Sequence, residues 1–278
     1  MTTFSFTQVD VFTDTPLRGN PLAVVHAADT LSDAQMRDFA RWTNLSETTF
    51  LLAPTDPAAD YRVRIFTVER ELPFAGHPTL GSCHAWLAAG GRAQGAEVVQ
   101  QCEAGLVRIR RDGERLAFAA PPLRRSGAVA PEVIEQIARG LQIDRSRIRA
   151  SQWVDNGPGW VAVLLPSRDE VLALRPDYAA LQGLELGVVA PWPDGAPQGV
   201  AFEVRAFIPS GAFEDPVTGS LNAGLAQWLI AAGLAPARYV ASQGTVLGRS
   251  GRVYVDQVGA DIWIGGHCVT CIAGTLTL

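Results

Sequence analysis

Gly76-His77-Pro78-Thr79-Leu80-Gly81-Ser82 and Glu214-Asp215-Pro216-Val217-Thr218-Gly219-Ser220 are two versions of one series, and their likeness decides how the chain is read. At an offset of 138, His77 meets Asp215, Pro78 meets Pro216, Gly81 meets Gly219 and Ser82 meets Ser220. Working outward, Tyr61-Arg62-Val63-Arg64-Ile65-Phe66 and Phe202-Glu203-Val204-Arg205-Ala206-Phe207 are both strand-like and both hold V-R-x-F. Each leads through a polar loop to a Phe, Phe74 or Phe213. Downstream, each series opens an apolar helical stretch, Thr79–Ala89 and Gly219–Ala232. A helix apolar all round is a buried helix. Upstream, Gly19-Asn20-Pro21 is echoed by Asn156-Gly157-Pro158, each ahead of an apolar strand. An ordered repeat fixes architecture. The reading is an α+β fold of two repeated halves, roughly 1–120 and 121–278, each a β-rich shell around a central helix. The last strand is allowed to return to the first half.

Other elements are short. Ser32-Asp33-Ala34-Gln35 is a capping box that opens a helix to about Trp42. Glu132–Arg139 is a helix with Gly140 placed as its C-terminal glycine. Asp112-Gly113 marks a hairpin.

Composition narrows the function classes. The chain has 278 residues, 47% hydrophobic and 18% charged, an ordinary globular mix. Net charge is −5 with no basic stripe, so no nucleic-acid partner is expected. Apolar runs such as Val161–Leu165 are far too short to span a bilayer, so no membrane partner is expected either. Met1–Phe6 lacks the basic start and apolar run of a signal peptide, and a cytoplasmic protein is expected. Four cysteines make no disulfide framework. Cys268 and Cys271 lie three apart on a strand and point to opposite faces, which disfavours a metal or redox pair.

The helix starts are the candidate site. A helix N-terminus presents free N–H groups and the positive end of a dipole, and small residues let an anion approach. Gly81-Ser82 and Gly219-Ser220 are such residues. A small substrate carboxylate held there leaves His77 and Asp215, just ahead of the helices, facing each other near the reacting carbons. Simpler roles stay open: Asp215 also fits an N-cap, and His77 a loop histidine bonded to a carbonyl. Glu47, in Asn44-Leu45-Ser46-Glu47, fits a capping box with Asn44, although the following Thr48–Leu52 reads as a strand. A Glu entering an apolar strand is placed where burial raises its pKa towards the acid/base range.

Gly19-Asn20-Pro21, Asn44-Leu45-Ser46-Glu47-Thr48, Glu71 through Gly81, Glu214 through Ser220, and Gln243-Gly244 together resemble the PhzF-like family, named for the isomerase of phenazine biosynthesis. The resemblance spans nearly the whole chain. It implies a diaminopimelate epimerase-like fold, with two pseudo-symmetric halves that are each a barrel-like sheet around a central helix, and a proton-moving isomerase acting on a small carboxylate. It implies that Glu47 is the acid/base, that His77 and Asp215 assist, that Gly219 and Ser220 hold the carboxylate, and that Gly76 lines the pocket. It also implies a homodimer with no metal and no organic cofactor. One departure is that epimerases of this fold carry a cysteine on each side of the substrate, where this chain has His77 and Asp215. A two-thiol racemase is therefore disfavoured. Another is that Leu221-Asn222-Ala223-Gly224 brings bulk and an amide where the phenazine enzyme has small residues, which leaves room for a different substrate. The rival from another class is a carboxylate-binding protein that kept the pocket without catalysis.

Overall fold

The structure is a computed structural model and describes residues 1–193, 196 and 199–278. The chain divides into two compact units, Met1–Ala119 with Gly265–Leu278, and Ala120–Ile264. The α+β class read from the sequence holds in both.

In the first unit the strands are β1 (Thr3–Val11), β2 (Asn20–Val25), β3 (Glu47–Leu52), β4 (Tyr61–Phe66), β5 (Glu71–Leu72), β6 (Val98–Cys102), β7 (Gly105–Asp112) and β8 (Arg115–Ala119). The chain's last strand, Cys268–Thr277, lies antiparallel to β1. From there the ladder runs β1, β2, β3, β4, β6, β7, β8, with β2–β3 and β4–β6 parallel. Helix α1 (Asp33–Thr43) has the full Ser32–Gln35 capping box and turns Met36, Phe39 and Ala40 onto Phe50 and Phe66. Helix α2 (Gly76–Ala88) packs against β1, β2, β3, β6, β8 and the last strand, which explains why a helix without a polar face forms here. Helix and strands approach closely at Gly81, where an added Cβ would lie 2.6 Å from Leu22 Cδ2 and 2.9 Å from Val11 Cγ2.

The second unit begins with β9 (Arg125–Gly127), α3 (Pro131–Leu141), β10 (Ala150–Asp155), β11 (Trp160–Leu164) and α4 (Arg168–Ala173). It continues with β12 (Glu185–Pro191), β13 (Val200–Ile208), β14 (Phe213–Asp215), α5 (Gly219–Ala231), β15 (Arg238–Gln243) and β16 (Gly251–Val258). Two further strands complete the chain order, β17 (Asp261–Gly266) and β18, the Cys268–Thr277 strand already described. The ladder runs β9, β10, β11, β12, β13, β15, β16, with β11–β12 and β13–β15 parallel. Helix α5 packs against β10, β11 and β16. Helices α3 and α4 cover a separate cluster that includes Ile137, Leu141, Val171 and Phe207. Among the described residues, no helix is long and apolar enough to cross a membrane.

Two sequence readings change here. Gly140 does not end α3: the helix runs on to Leu141, and Gln142 takes the left-handed position at φ 57°. The glycine instead makes room for Leu181, whose Cδ2 would lie 2.4 Å from an added Cβ. Helix α2 begins three residues before the expected Thr79. Pro78 does not delay it, because a first-turn residue has no N–H partner to lose.

Candidate active site

The V-R-x-F strands explain how each helix start is held. Arg64 on β4 forks onto Glu71, with Nε–Oε1 at 2.7 Å and an NH2–Oε2 distance of 2.6 Å. Arg205 on β13 forks onto Glu214 in the same way, at 3.0 and 2.7 Å. Such bidentate pairs fix geometry as well as adding energy. Each Glu lies five residues before its helix, whose first residue is Gly76 or Gly219. Phe66 pairs with Glu71, and Phe207 with Glu214.

These contacts reset the register of the two motifs. The helix starts correspond at an offset of 143 (Gly76 to Gly219), not 138. His77 is therefore the local counterpart of Ser220, both in the first turn of a helix. Asp215 is the counterpart of Leu72, on a short strand before the helix. The sequence match slipped because Pro and Gly-Ser recur in both motifs at different places. Pro78 lies inside a first turn, while Pro216 lies in the turn ahead of α5.

The first unit holds Glu47, Gly76, His77 and Gly81. Glu47 is the first residue of β3, paired in the parallel ladder with Leu22. Asn44, the alternative cap, is instead the left-handed C-cap of α1. Glu47 Oε2 lies 3.4 Å from His77 Nδ1, with the Glu47 side chain 15% exposed and His77 4%. Asn20 Nδ2 is also 3.4 Å from His77 Nδ1. That distance to a carboxylate suits an ion pair, but burial lowers the His77 pKa to about 3, a shift that the Pro21 carbonyl opposes only in part. The ring is neutral and the contact is a polar one, not an ion pair. The other ring nitrogen, Nε2, is buried as well. No described protein group hydrogen-bonds this buried Nε2. Buried polar atoms rarely go unpaired, and each exception calls for an explanation, a catalytic role or a bound water among them.

A buried chain fixes this helix start. Tyr61 donates to Gln100 at 2.9 Å, Gln100 Nε2 donates to Thr79 Oγ1 at 3.0 Å, and Thr79 donates to the Ala75 carbonyl at 2.9 Å. No side chain caps α2. Gly76 is its first residue, whereas Gly81 is packed against β1 and β2 and serves that approach.

The second unit holds Asp215, Gly219 and Ser220. Asp215, 8% exposed, accepts at Oδ2 from the Thr218 hydroxyl at 2.5 Å. No side chain caps α5 either, so Asp215 is not its N-cap. The Trp160 indole donates to Ser220 Oγ at 3.0 Å. The Ser220 hydroxyl therefore has its own hydrogen to give elsewhere. Asn156 donates to the Ser220 carbonyl at 2.8 Å. The side chain of Leu221 is buried against Gly187, and the amide of Asn222 is held by the Thr218 carbonyl and Gln243 Oε1, both at 2.9 Å.

A family model described as phenazine biosynthesis-like protein matches residues 9–274. The chain belongs to that family. It is 37% identical to antisense-enhancing sequence 1 of Schizosaccharomyces pombe, over 99% of each chain. It is 33% identical to trans-2,3-dihydro-3-hydroxyanthranilate isomerase of Pseudomonas fluorescens, covering 97% of this chain and 98% of that one. A solved phenazine biosynthesis protein of Enterococcus faecalis superposes with a TM-score of 0.81 at 25% identity, covering 100% of both. The isomerase class expected from the motifs agrees with the names of such relatives in the phenazine biosynthesis-like family.

Sequence reading missed several groups around these residues. Asn20, Asn156 and Gln243 were visible only as landmarks within motifs, and Trp160 as a core aromatic. Thr218 was one letter of the second motif. For Asn20 and Asn156 the signal was an amide placed just before Pro or Gly-Pro, without any indication of what it bonds. The thiol alternative loses its chemistry. Burial pushes Cys83 up to about 12, and raises Cys102 and Cys268 as well, so none is a ready thiolate.

Proposed function

We propose that this protein is a cofactor-independent isomerase that moves a proton between carbons of a small carboxylate, trans-2,3-dihydro-3-hydroxyanthranilate or a close relative. The observation that carries the reading is the neutral, buried His77 with Nδ1 at 3.4 Å from the Glu47 carboxylate and Nε2 unclaimed by any described protein group. Glu47 takes the proton from one carbon and returns it to another. A neutral imidazole beside it accepts or passes a hydrogen bond without adding charge. Gly219 and Ser220, at an uncapped helix start, hold the substrate carboxylate with backbone N–H groups and the Ser220 hydroxyl. Gly76 leaves room at the other helix start, and Asp215 assists proton handling. On the strength of the same kinship, the working form is read as a cytoplasmic homodimer, whose mass sedimentation would report.

The test is turnover in deuterated water with trans-2,3-dihydro-3-hydroxyanthranilate, followed by NMR. Wild type is expected to isomerise it and place solvent deuterium on carbon. Glu47→Gln should slow turnover by about 10²-fold or more, the usual contribution of a general acid–base group. Full turnover by Glu47→Gln would overturn the assignment. Tight carboxylate binding with no label on any carbon would favour a binding protein that kept the pocket.

A further inference from the structure

We propose that Gln243 is a positioning residue for Asp215, acting through Thr218; the role rests on the reading of Asp215 as part of the isomerase site. The argument is one of hydrogen-bond polarity. Side-chain amide orientation is normally ambiguous, and neighbouring groups must fix it. Here the backbone fixes it. The Thr218 N–H, which can only donate, faces Gln243 Oε1 at 3.0 Å. Asn222 Nδ2 faces the same oxygen at 2.9 Å, and its own orientation is set by the Thr218 carbonyl, which can only accept. The other end of the Gln243 amide is therefore nitrogen. It donates to the Asp215 carbonyl at 3.1 Å and to Thr218 Oγ1 at 2.9 Å.

A hydroxyl has one hydrogen. Since Thr218 Oγ1 accepts from Gln243, its own hydrogen goes to Asp215 Oδ2 at 2.5 Å. That distance suits a hydroxyl donating to an ionised carboxylate. The order Gln243 to Thr218 to Asp215 thus runs in one direction only. It holds the Asp215 carboxylate in one orientation and as an acceptor. Gln243 is fully buried and Asn222 nearly so, which keeps water from substituting for either amide. The backbone allows little slack: Gly244 sits at φ 89°, where an added Cβ would lie 2.7 Å from the Pro216 carbonyl oxygen.

A group that orients a charge in the transition state affects kcat more than KM. Thr218→Val keeps the shape and removes the hydroxyl. It is expected to lower kcat about tenfold to a hundredfold, with KM within threefold, as befits loss of a hydrogen bond to a charged group. Thr218→Ser, which restores the hydroxyl, should recover most of kcat. Gln243→Glu keeps Oε1 but turns the donor into an acceptor, so the Thr218 hydrogen gains a competing carboxylate. It should match Thr218→Val in kcat, and the double variant should be no slower than the slower single one. Independent, additive losses, or falls in thermal midpoint with kcat unchanged, would overturn the proposal. A second measurement needs no activity. In the NMR spectrum of the Gln243 side-chain amide, Thr218→Val should move one hydrogen upfield and leave its partner, bonded to the Asp215 carbonyl, unmoved. If neither moves, the chain does not exist. If wild type neither turns over nor labels substrate, the isomerase reading fails, and these amide shifts still decide whether Gln243 holds Thr218.

Discussion

His77 is held neutral by burial, and its neutrality affects stability as well as chemistry. The unfolded ring titrates near 6.5, whereas the folded ring stays unprotonated down to about 3. Below pH 6.5 the unfolded state therefore binds a proton that the folded state refuses. Stability rises with pH wherever the unfolded state holds more protons. The contribution of His77 is thus present above pH 6.5 and is lost as pH falls towards 3. Between pH 6.5 and 5 most carboxylates are still ionised, so histidines dominate the slope. His26 and His84, also lowered by burial, share it. In urea unfolding across this window, His77→Asn should lose stability less steeply than wild type, by up to roughly 1.4 kcal/mol per pH unit. Equal slopes would mean that the native ring is charged, and the proposed role of a neutral imidazole would fail with it.

Both central helices depend on a glycine in the sixth position, but the two glycines face different obstacles. An added Cβ at Gly81 meets the flexible end of Leu22 at 2.6 Å, whereas one at Gly224 meets the Val154 carbonyl oxygen at 2.3 Å. A leucine terminus can rotate; a strand backbone cannot without breaking its ladder. Overpacking typically costs about 1–3 kcal/mol, so Gly81→Ala should fall near the lower end and Gly224→Ala at or beyond the upper end. Denaturant midpoints of the two variants would check the ranking, and the reverse order would contradict it. The elements themselves were largely legible. The Ser32–Gln35 box, the two buried helices and the V-R-x-F strands all announce themselves through capping chemistry or periodicity. Register was not. Pro78 reads equally well as a residue before a helix or within its first turn, and that ambiguity shifted the match of His77 from Ser220 to Asp215. Helix α4 was missed because six residues are too few to show a period. Of the site, Glu47, His77 and Asp215 were visible through motifs, but the Thr218–Gln243 clasp joins positions that are distant in sequence and lack any shared pattern.

Across the whole molecule, the first unit is discontinuous in sequence: Gly265–Leu278 belongs with Met1–Ala119. Strand β18 pairs with β1 from Thr3 against Thr277 to Val11 against Cys268, and α2 also packs on it. Removing residues 265–278 would strip β1 of one of its two partners and uncover part of α2. An exposed edge strand next to a helix with no polar face is a strong aggregation site. A chain ending at residue 264 should therefore be expanded or insoluble, even though the cut leaves β9 to β16 intact and takes only the last two residues of β17. The pairing also spans nearly the full sequence, and contacts of such separation form slowly because chain closure precedes their reward. Refolding of the intact protein should show a slow phase in signals from the first unit, such as fluorescence of Trp86, the unit's buried-helix tryptophan stacked on Tyr61. Adding a synthetic peptide of residues 265–278 to the truncated chain should restore folded signal by strand addition, with a dependence on peptide concentration. A truncated chain that gives the full cooperative unfolding of the first unit without the peptide would show that β18 is an accessory strand and not a structural member of the fold.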